Sequence, residues 1–177
     1  MNSIINKKYS KMNNIAILYG SSGGNTESVA KRLNEILDGN ADLYDVANVK
    51  LDEIKSYPYY ILGTSTTGIG DLQDDWEGFL PTFKKLDLTD KKIAIFALGD
   101  SGSFSSSFAQ SMRILYDAVK DQVTVIGEVE DEGYTYDESD AVIDGKWVGL
   151  AIDEDNEYDL TEDRLQGWSK KLKEVFK

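Results

Sequence analysis

Three stretches of this chain, residues 15–19, 59–62 and 93–98, are apolar at essentially every position. A strand with one wet face alternates apolar and polar residues, so an unbroken run calls for burial on both faces. Segments of helical period separate the runs. Val29, Leu33, Ile36 and Leu37 form one apolar stripe, which stops at Asp38-Gly39. Trp76, Phe79, Leu80 and Phe83 form a second, expected to end at Pro81 or soon after it. Phe108, Met112, Leu115, Tyr116 and Val119 form a third, and Leu165, Trp168, Leu172 and Phe176 a fourth. Thr161 is the expected cap of that last helix, with Glu162 and Asp163 in its first turn. Residues 41–46 alternate, as an edge strand should, and residues 123–126 supply a fifth strand candidate.

Strand alternating with helix along the whole chain predicts an α/β fold, a doubly wound five-stranded parallel sheet with helices on both faces. The acidic stretch 127–146 breaks the pattern before residues 147–152 resume an extended, apolar character, so it reads as an insertion splitting the last strand. No repeat or linker divides the chain. Residues 14–177 read as one domain, and residues 1–13 as a disordered N-terminal extension that carries Lys7, Lys8 and Lys11 but no secretory apolar segment.

Ligands of such sheets sit beyond the carboxyl ends of the strands, here in the loops after Tyr19, Leu62 and Leu98. Residues 20–27 read Gly-Ser-Ser-Gly-Gly-Asn-Thr-Glu. Small residues and three hydroxyls can gather amide and hydroxyl donors on one anion at a helix N-terminus. The loop has no Lys, which excludes the nucleoside-triphosphate P-loop, and it lacks the Gly-x-Gly-x-x-Gly spacing of dinucleotide folds. A monophosphate ester suits it; so does a plain tight turn rich in capping residues. The second loop, residues 63–72, is rich in hydroxyls and has Gly68 and Gly70 two apart, as a flexible site or an exposed connector would. In the third, residues 99–108, Phe104 stands among Ser and Gly, where a large ring gains little unless something covers it. Phe104 and Phe108, four apart, also fit as the opening of the third helix's stripe.

The chain has neither Cys nor His, which removes disulfides, thiolate nucleophiles, imidazole acid–base chemistry and His/Cys zinc sites. Hard chemistry therefore needs a borrowed cofactor. Thirty-two acidic against nineteen basic residues give a net charge of −13, which repels nucleic acid and anionic membranes and favours basic partners, besides serving solubility.

Four motifs in order, spread over roughly residues 14–177, resemble the flavodoxin family. Residues 17–33 resemble its phosphate-loop signature. Gly70-Asp71-Leu72-Gln73-Asp74-Asp75-Trp76-Glu77-Gly78-Phe79 resembles the run after its second flavin loop, and Ala97-Leu98-Gly99-Asp100 the start of its third. Residues 144–156 with Asp159-Leu160-Thr161 are similar to the segment that marks long-chain flavodoxins. The resemblance implies strand order 2-1-3-4-5 and non-covalently bound FMN. It implies phosphate contacts from Ser21, Ser22, Gly23, Gly24, Asn25 and Thr26. The ring is expected between Ser65, Thr66, Thr67, Gly68, Ile69 and Gly70 on one side and Leu98, Gly99, Asp100, Phe104 and Ser107 on the other, with Asp155 nearby. Catalytic residues and metal ligands are not expected.

The implied function is a low-potential one-electron carrier that shuttles FMN between semiquinone and hydroquinone. It would act as a cytoplasmic monomer linking redox enzymes with basic surfaces, such as flavin reductases and partners of the pyruvate oxidoreductase or nitrogenase type. Gly68 is implied as the residue whose carbonyl turns toward the flavin N(5). Thr67 stands where the family usually has a large aromatic and Phe104 where it usually has Tyr, so one ring face is expected to be thinly covered with Phe104 as the main stacking partner; Ser107 stands where the third loop usually has Asn, a contact the resemblance therefore does not carry over. An FMN-dependent quinone reductase on the same fold is the alternative reading. A receiver domain of the same sheet order is not, because Gly20-Ser21-Ser22 replaces the acidic pair that would hold magnesium.

Overall fold

A computed structural model describes residues 13–176. The expected N-terminal extension lies outside the described residues except for Asn13, whose side-chain amide donates to Asp42 Oδ1 (2.9 Å). The first half of the chain runs β1 (Ile15–Tyr19), α1 (Asn25–Ile36), β2 (Ala41–Asp45), the single turn α2 (Leu51–Ile54) and β3 (Tyr59–Thr67). Next come β4 (Asp71–Leu72), α3 (Asp74–Phe83), β5 (Lys92–Leu98), α4 (Ser111–Val119) and β6 (Thr124–Ile126). The chain closes with β7 (Val129–Glu130), β8 (Val142–Ile143), β9 (Lys146–Trp147), β10 (Leu150–Ile152) and α5 (Thr161–Val175).

The main sheet has the order β10-β5-β3-β1-β2, and all of these neighbours are parallel. β6 joins the same edge as β10. It pairs with Lys92–Ala94 at the start of β5, whereas β10 pairs with Phe96–Leu98 at its end. The two segments together occupy one strand position, so the expected order 2-1-3-4-5 and the split last strand are both present. Between them β7, β9 and β8 form a small antiparallel sheet. Gly149 brings the chain back: a Cβ there would overlap the Ile95 carbonyl oxygen and stand 2.8 Å from Met112 Sδ. Only glycine lets the returning backbone lie this close to β5.

Burial on both faces explains the unbroken apolar runs. Leu18, Leu62, Ile93 and Ile95 pack with Trp76 and Phe83 of α3 and Met112 and Leu115 of α4. Ile17, Ile61, Phe96 and Ile152 pack with Val29 and Leu33 of α1 and with Leu165 and Trp168 of α5. No described helix is long and apolar enough to cross a membrane.

Local expectations fail in three places. Thr161 does not cap α5: the 3-10 turn Tyr158–Leu160 runs straight into the helix, Leu160 takes the cap position at φ −94°, ψ −11°, and the Thr161 hydroxyl is buried without a partner. A capping hydroxyl needs an extended residue ahead of the helix, and the chain arrives already coiled. Phe108 lies outside α4, extended at φ −59°, ψ 124°, because the insertion supplies Tyr134, Tyr136 and Trp147 to surround its ring. The second loop is not a long connector. β3 continues to Thr67 and pairs with β4 as a hairpin, Thr66 opposite Leu72, turned by Gly68 (φ 50°) and Gly70 (φ 84°). Pro81 sits within α3, which ends two residues later at Phe83.

Candidate functional site

The carboxyl ends of β1, β3 and β5 lie side by side, and the loops leaving them meet above the sheet. Gly20 N donates to Gly63 O and Gly99 N to Ile152 O, each at 3.0 Å, which draws the loops and the segment after β10 together. They enclose a cavity of about 260 Å³.

In the first loop Ser21 Oγ accepts from Gly24 N (3.1 Å), and Gly24 takes a left-handed conformation (φ 93°). The first helical bond runs from Ser28 N to Gly24 O (3.0 Å), and no side chain caps α1. The N–H groups of its first turn therefore open into the loop with no intrahelical acceptor. Thr26 is buried at the cavity wall. Behind it, the Gln73 amide donates to Ser22 Oγ (3.1 Å) while its carbonyl oxygen accepts from Trp76 N (3.1 Å). Trp76 Nε1 donates to Gly63 O (2.7 Å).

The second loop is fixed from α4. Ser111 Oγ donates to Ser65 O (3.2 Å) and lies 2.7 Å from Thr66 Oγ1.

The third loop is clamped by the segment after β10. Asp153 has no exposed surface. Its Oδ2 accepts from Ser101 Oγ (2.5 Å) and Ser101 N (3.3 Å), and its Oδ1 from Asn156 N (3.1 Å) and Asn156 Nδ2 (3.0 Å). Asn156 Nδ2 also donates to Asp100 Oδ1 (2.8 Å), which accepts in addition from Gly102 N and Ser103 N. The Asn156 bond, followed by the Ser103 amide, holds the Asp100 carboxyl below its ordinary range. Asp155 is shifted the other way, first by partial burial and then by the nearby charges of Asp100 and Asp153. At neutral pH Asp100 is therefore firmly ionised. Its contribution to folding is complete above the ordinary carboxylate pKa and is lost only as pH falls through the lowered value.

Among the described residues no cation lines the cavity; its charged groups there are Asp100, Glu154 and Asp155. Glu154 is paired from α1 by Arg32 (Nη1 to Oε1, 2.7 Å). The chemistry offered is thus hydroxyl and amide donors at one end and carboxylates at the other.

The chain matches the family model described as Flavodoxin over residues 17–168. It is 39% identical over 165 residues to a flavodoxin of Helicobacter pylori, covering 93% of this chain and 99% of that one. The chain belongs to the flavodoxin family. An Enterobacter agglomerans flavodoxin is 41% identical over 173 residues, covering 92% of this chain and 98% of the other. Among solved structures, Fusobacterium nucleatum flavodoxin bound to flavin mononucleotide superposes with a TM-score of 0.86 at 30% identity, covering 92% and 98% of the two chains.

Of the residues the sequence singled out in this flavodoxin-family chain, the cavity gathers Ser21, Ser22, Gly23, Asn25 and Thr26 from the first loop. It gathers Ser65 and Thr66 from the second, Leu98, Gly99, Asp100 and Phe104 from the third, and Asp155 from the segment after β10. Gly24 stands behind the lining as the α1 cap. Ser107 is buried in the 3-10 turn Ser105–Ser107. Gly68, Ile69 and Gly70 form the hairpin turn, with Ile69 82% exposed. The Thr67 hydroxyl donates back to Leu72 O (3.2 Å), and Thr67 lines a groove beside the hairpin rather than the cavity.

Glu154, which lines the cavity, and the supports Gln73, Ser111, Asp153 and Asn156 escaped the sequence reading. Gln73, Asp153, Glu154 and Asn156 stand inside two of the family-like motifs, so a signal was present. Ser111 opens a helix with no local mark of its role.

Proposed function

We propose that this chain is a low-potential one-electron carrier that binds FMN non-covalently in the 260 Å³ cavity and works between its half-reduced and fully reduced forms. The observation that carries the reading is the pairing of an uncapped, hydroxyl-lined α1 N-terminus with a wall whose charged groups, among the described residues, are carboxylates. Amide N–H groups at a helix N-terminus hold a phosphate without any cation. Ser21, Ser22, Gly23, Gly24, Asn25 and Thr26 serve the phosphate, while Ser65, Thr66, Leu98, Gly99, Asp100, Phe104 and Asp155 line the space for the ring, with the hairpin turn Thr67, Gly68, Ile69 and Gly70 at its edge and Ser107 behind it. FMN supplies the reversible redox chemistry; the protein holds and orients it and sets its electrostatic surroundings.

Fully reduced flavin is an anion, so neighbouring carboxylates oppose the last reduction. Each unit charge about 10 Å away contributes roughly 0.4 kcal/mol in water-like surroundings, and several acting together make a strong reductant. The functional unit is the domain 14–177, a cytoplasmic monomer, and its net charge of −13 suits redox enzymes with basic docking faces.

An anaerobic reductive titration of the FMN-loaded protein tests the reading. A blue one-electron-reduced species accumulating midway, bleached only by strong reductant, supports the carrier. Direct passage from yellow to colourless replaces it with two-electron quinone-reductase chemistry.

Two substitutions probe the hairpin. Gly68→Val is expected to narrow the range over which the one-electron-reduced form persists. Gly68 sits at φ 50°, and a Cβ there would stand 2.8 Å from Asp71 Oδ2, so a branched side chain hinders any reorientation of this peptide. An unchanged range in the same titration removes the turn from the mechanism. Thr67→Trp is expected to tighten FMN binding by about 2- to 12-fold, the equivalent of an aromatic stack worth roughly 0.5–1.5 kcal/mol. Flavin fluorescence titration measures it, and an unaltered constant means that the side chain at 67 stays in the neighbouring groove.

A further inference from the structure

We infer that Arg32, from outside the cavity, sets a preference for phosphorylated flavin by neutralising Glu154 on the cavity wall, an inference that rests on the FMN reading. Arg32 lies two turns along α1 from the N-terminus that opens into the first loop. Its Nη1 donates to Glu154 Oε1 at 2.7 Å, and its Nη2 reaches Glu162 Oε2 at 3.5 Å. The Glu154 side chain is 17% exposed and that of Glu162 54%, so the contact with Glu154 is both the shorter and the less screened by water.

The acids of the wall are treated unequally. Among the described residues, Asp100 and Asp155 have no basic partner, and Asp100 is held by amide donors instead. Glu154 has one, and it comes from the helix whose first turn faces the phosphate loop. A phosphate monoester carries about −1.5 to −2 charges near neutral pH. A bare carboxylate in the same partly buried cavity opposes it, because neither charge is fully solvated there. A carboxylate already paired with a guanidinium does so far less.

Arg32 does not itself line the cavity, so it acts through Glu154 and is a positioning residue. The division of charge serves both parts of the cofactor. Negative charge is cancelled where the wall is tied to α1, and it is left in place at Asp100 and Asp155, where it opposes reduction of the ring. The same arginine joins α1 to α5 through Glu162, which is what a purely structural bridge would do. The experiment separates the two roles.

Affinities for FMN and for riboflavin, which lacks the phosphate, are measured by flavin fluorescence, with thermal unfolding of the flavin-free protein alongside. At low salt Arg32→Gln is expected to weaken FMN binding roughly tenfold and riboflavin binding less than about twofold, since only FMN brings charge to the bared Glu154. The FMN deficit is expected to shrink at high salt. Arg32→Lys keeps the charge and is expected to stay within about threefold of the parent for both flavins. Arg32→Gln/Glu154→Gln is expected to recover FMN affinity to within about threefold, because no bare carboxylate remains. Glu162→Gln, which loses only the exposed arm, is the control and is expected to leave both affinities unchanged. Equal losses of FMN and riboflavin in Arg32→Gln reduce the pair to a structural bridge and overturn the proposal. A double variant as weak as Arg32→Gln overturns it equally. A parent that binds neither flavin overturns the FMN reading itself, whereas a parent that binds FMN no better than Arg32→Gln does removes only the role of Arg32.

Discussion

Asp153→Ala is expected to raise the FMN dissociation constant roughly a hundredfold while the protein still folds. The carboxylate is fully buried, and it is the common acceptor for Ser101 N, Ser101 Oγ, Asn156 N and Asn156 Nδ2. Truncation removes the acceptor of these four part-buried hydrogen bonds, each with a net worth of about 0.5–1.5 kcal/mol. Nothing else described joins residues 99–104 to residues 153–156 so directly, apart from the Asn156–Asp100 bond that the same clamp orients. The strain falls on two loops rather than on the core, so it is released by their separation. That separation widens the cavity between Asp100 and Asp155. A loss of about 3 kcal/mol in holding the cofactor corresponds to roughly two decades in affinity. Asp153→Asn is expected to fall between, because its Nδ2 must face donors where the carboxylate accepted. Flavin fluorescence titration reads the affinity, and thermal unfolding of the FMN-free protein reads the fold. An affinity within threefold of the parent's, with folding intact, means that the clamp does not govern the cavity.

Gly149→Ala is expected to cost about 2–3 kcal/mol of folding stability, a large share of what holds a domain of this kind together. One methyl group is enough, because its obstacles are the Ile95 carbonyl oxygen and Met112 Sδ, backbone and core together. The methionine can turn aside; the carbonyl belongs to β5, an interior strand of the sheet, and cannot. Gly167→Ala is the matched control. Its Cβ meets nothing within 4 Å in α5, so helix propensity alone acts and stability rises by about 0.5–1 kcal/mol. Urea unfolding measures both. A Gly149→Ala midpoint equal to the parent's means that β10 has room to shift along β5.

The contrast between these two glycines illustrates how much sequence alone can say. Sheet order and layering were readable because burial on two faces writes itself into unbroken apolar runs such as Ile15–Tyr19, and a stripe such as Val29–Leu33–Leu37 has one periodic explanation. The loops were readable as a site because small and hydroxyl residues cluster after three successive strands. What stayed hidden depends on distant partners. Phe108 looks helical from its spacing, yet its ring is surrounded by aromatics about thirty to forty residues later. Thr161 has the composition of a cap, but a preceding 3-10 turn removes the geometry a cap requires. Asp153 looks like one acid among many, and only the fold reveals it as the buried acceptor of a clamp. Thr66 and Thr67 are chemically alike, and strand pleating sends them to opposite sides of the hairpin.

The divided fifth strand has a consequence for the redesign of this architecture. β6 leaves the sheet at Ile126, opposite Ala94, and β10 re-enters at Leu150, opposite Phe96. A single residue facing Ile95 would therefore make the strand continuous, so the sheet needs one residue where the chain spends the excursion over residues 127–149. The excursion is not free to leave, however. It roofs Phe108 with Tyr134, Tyr136 and Trp147. A minimal version of the molecule must shorten the chain and exchange Phe108 for a residue that tolerates water in the same step, so length and composition at this edge are tied to change together.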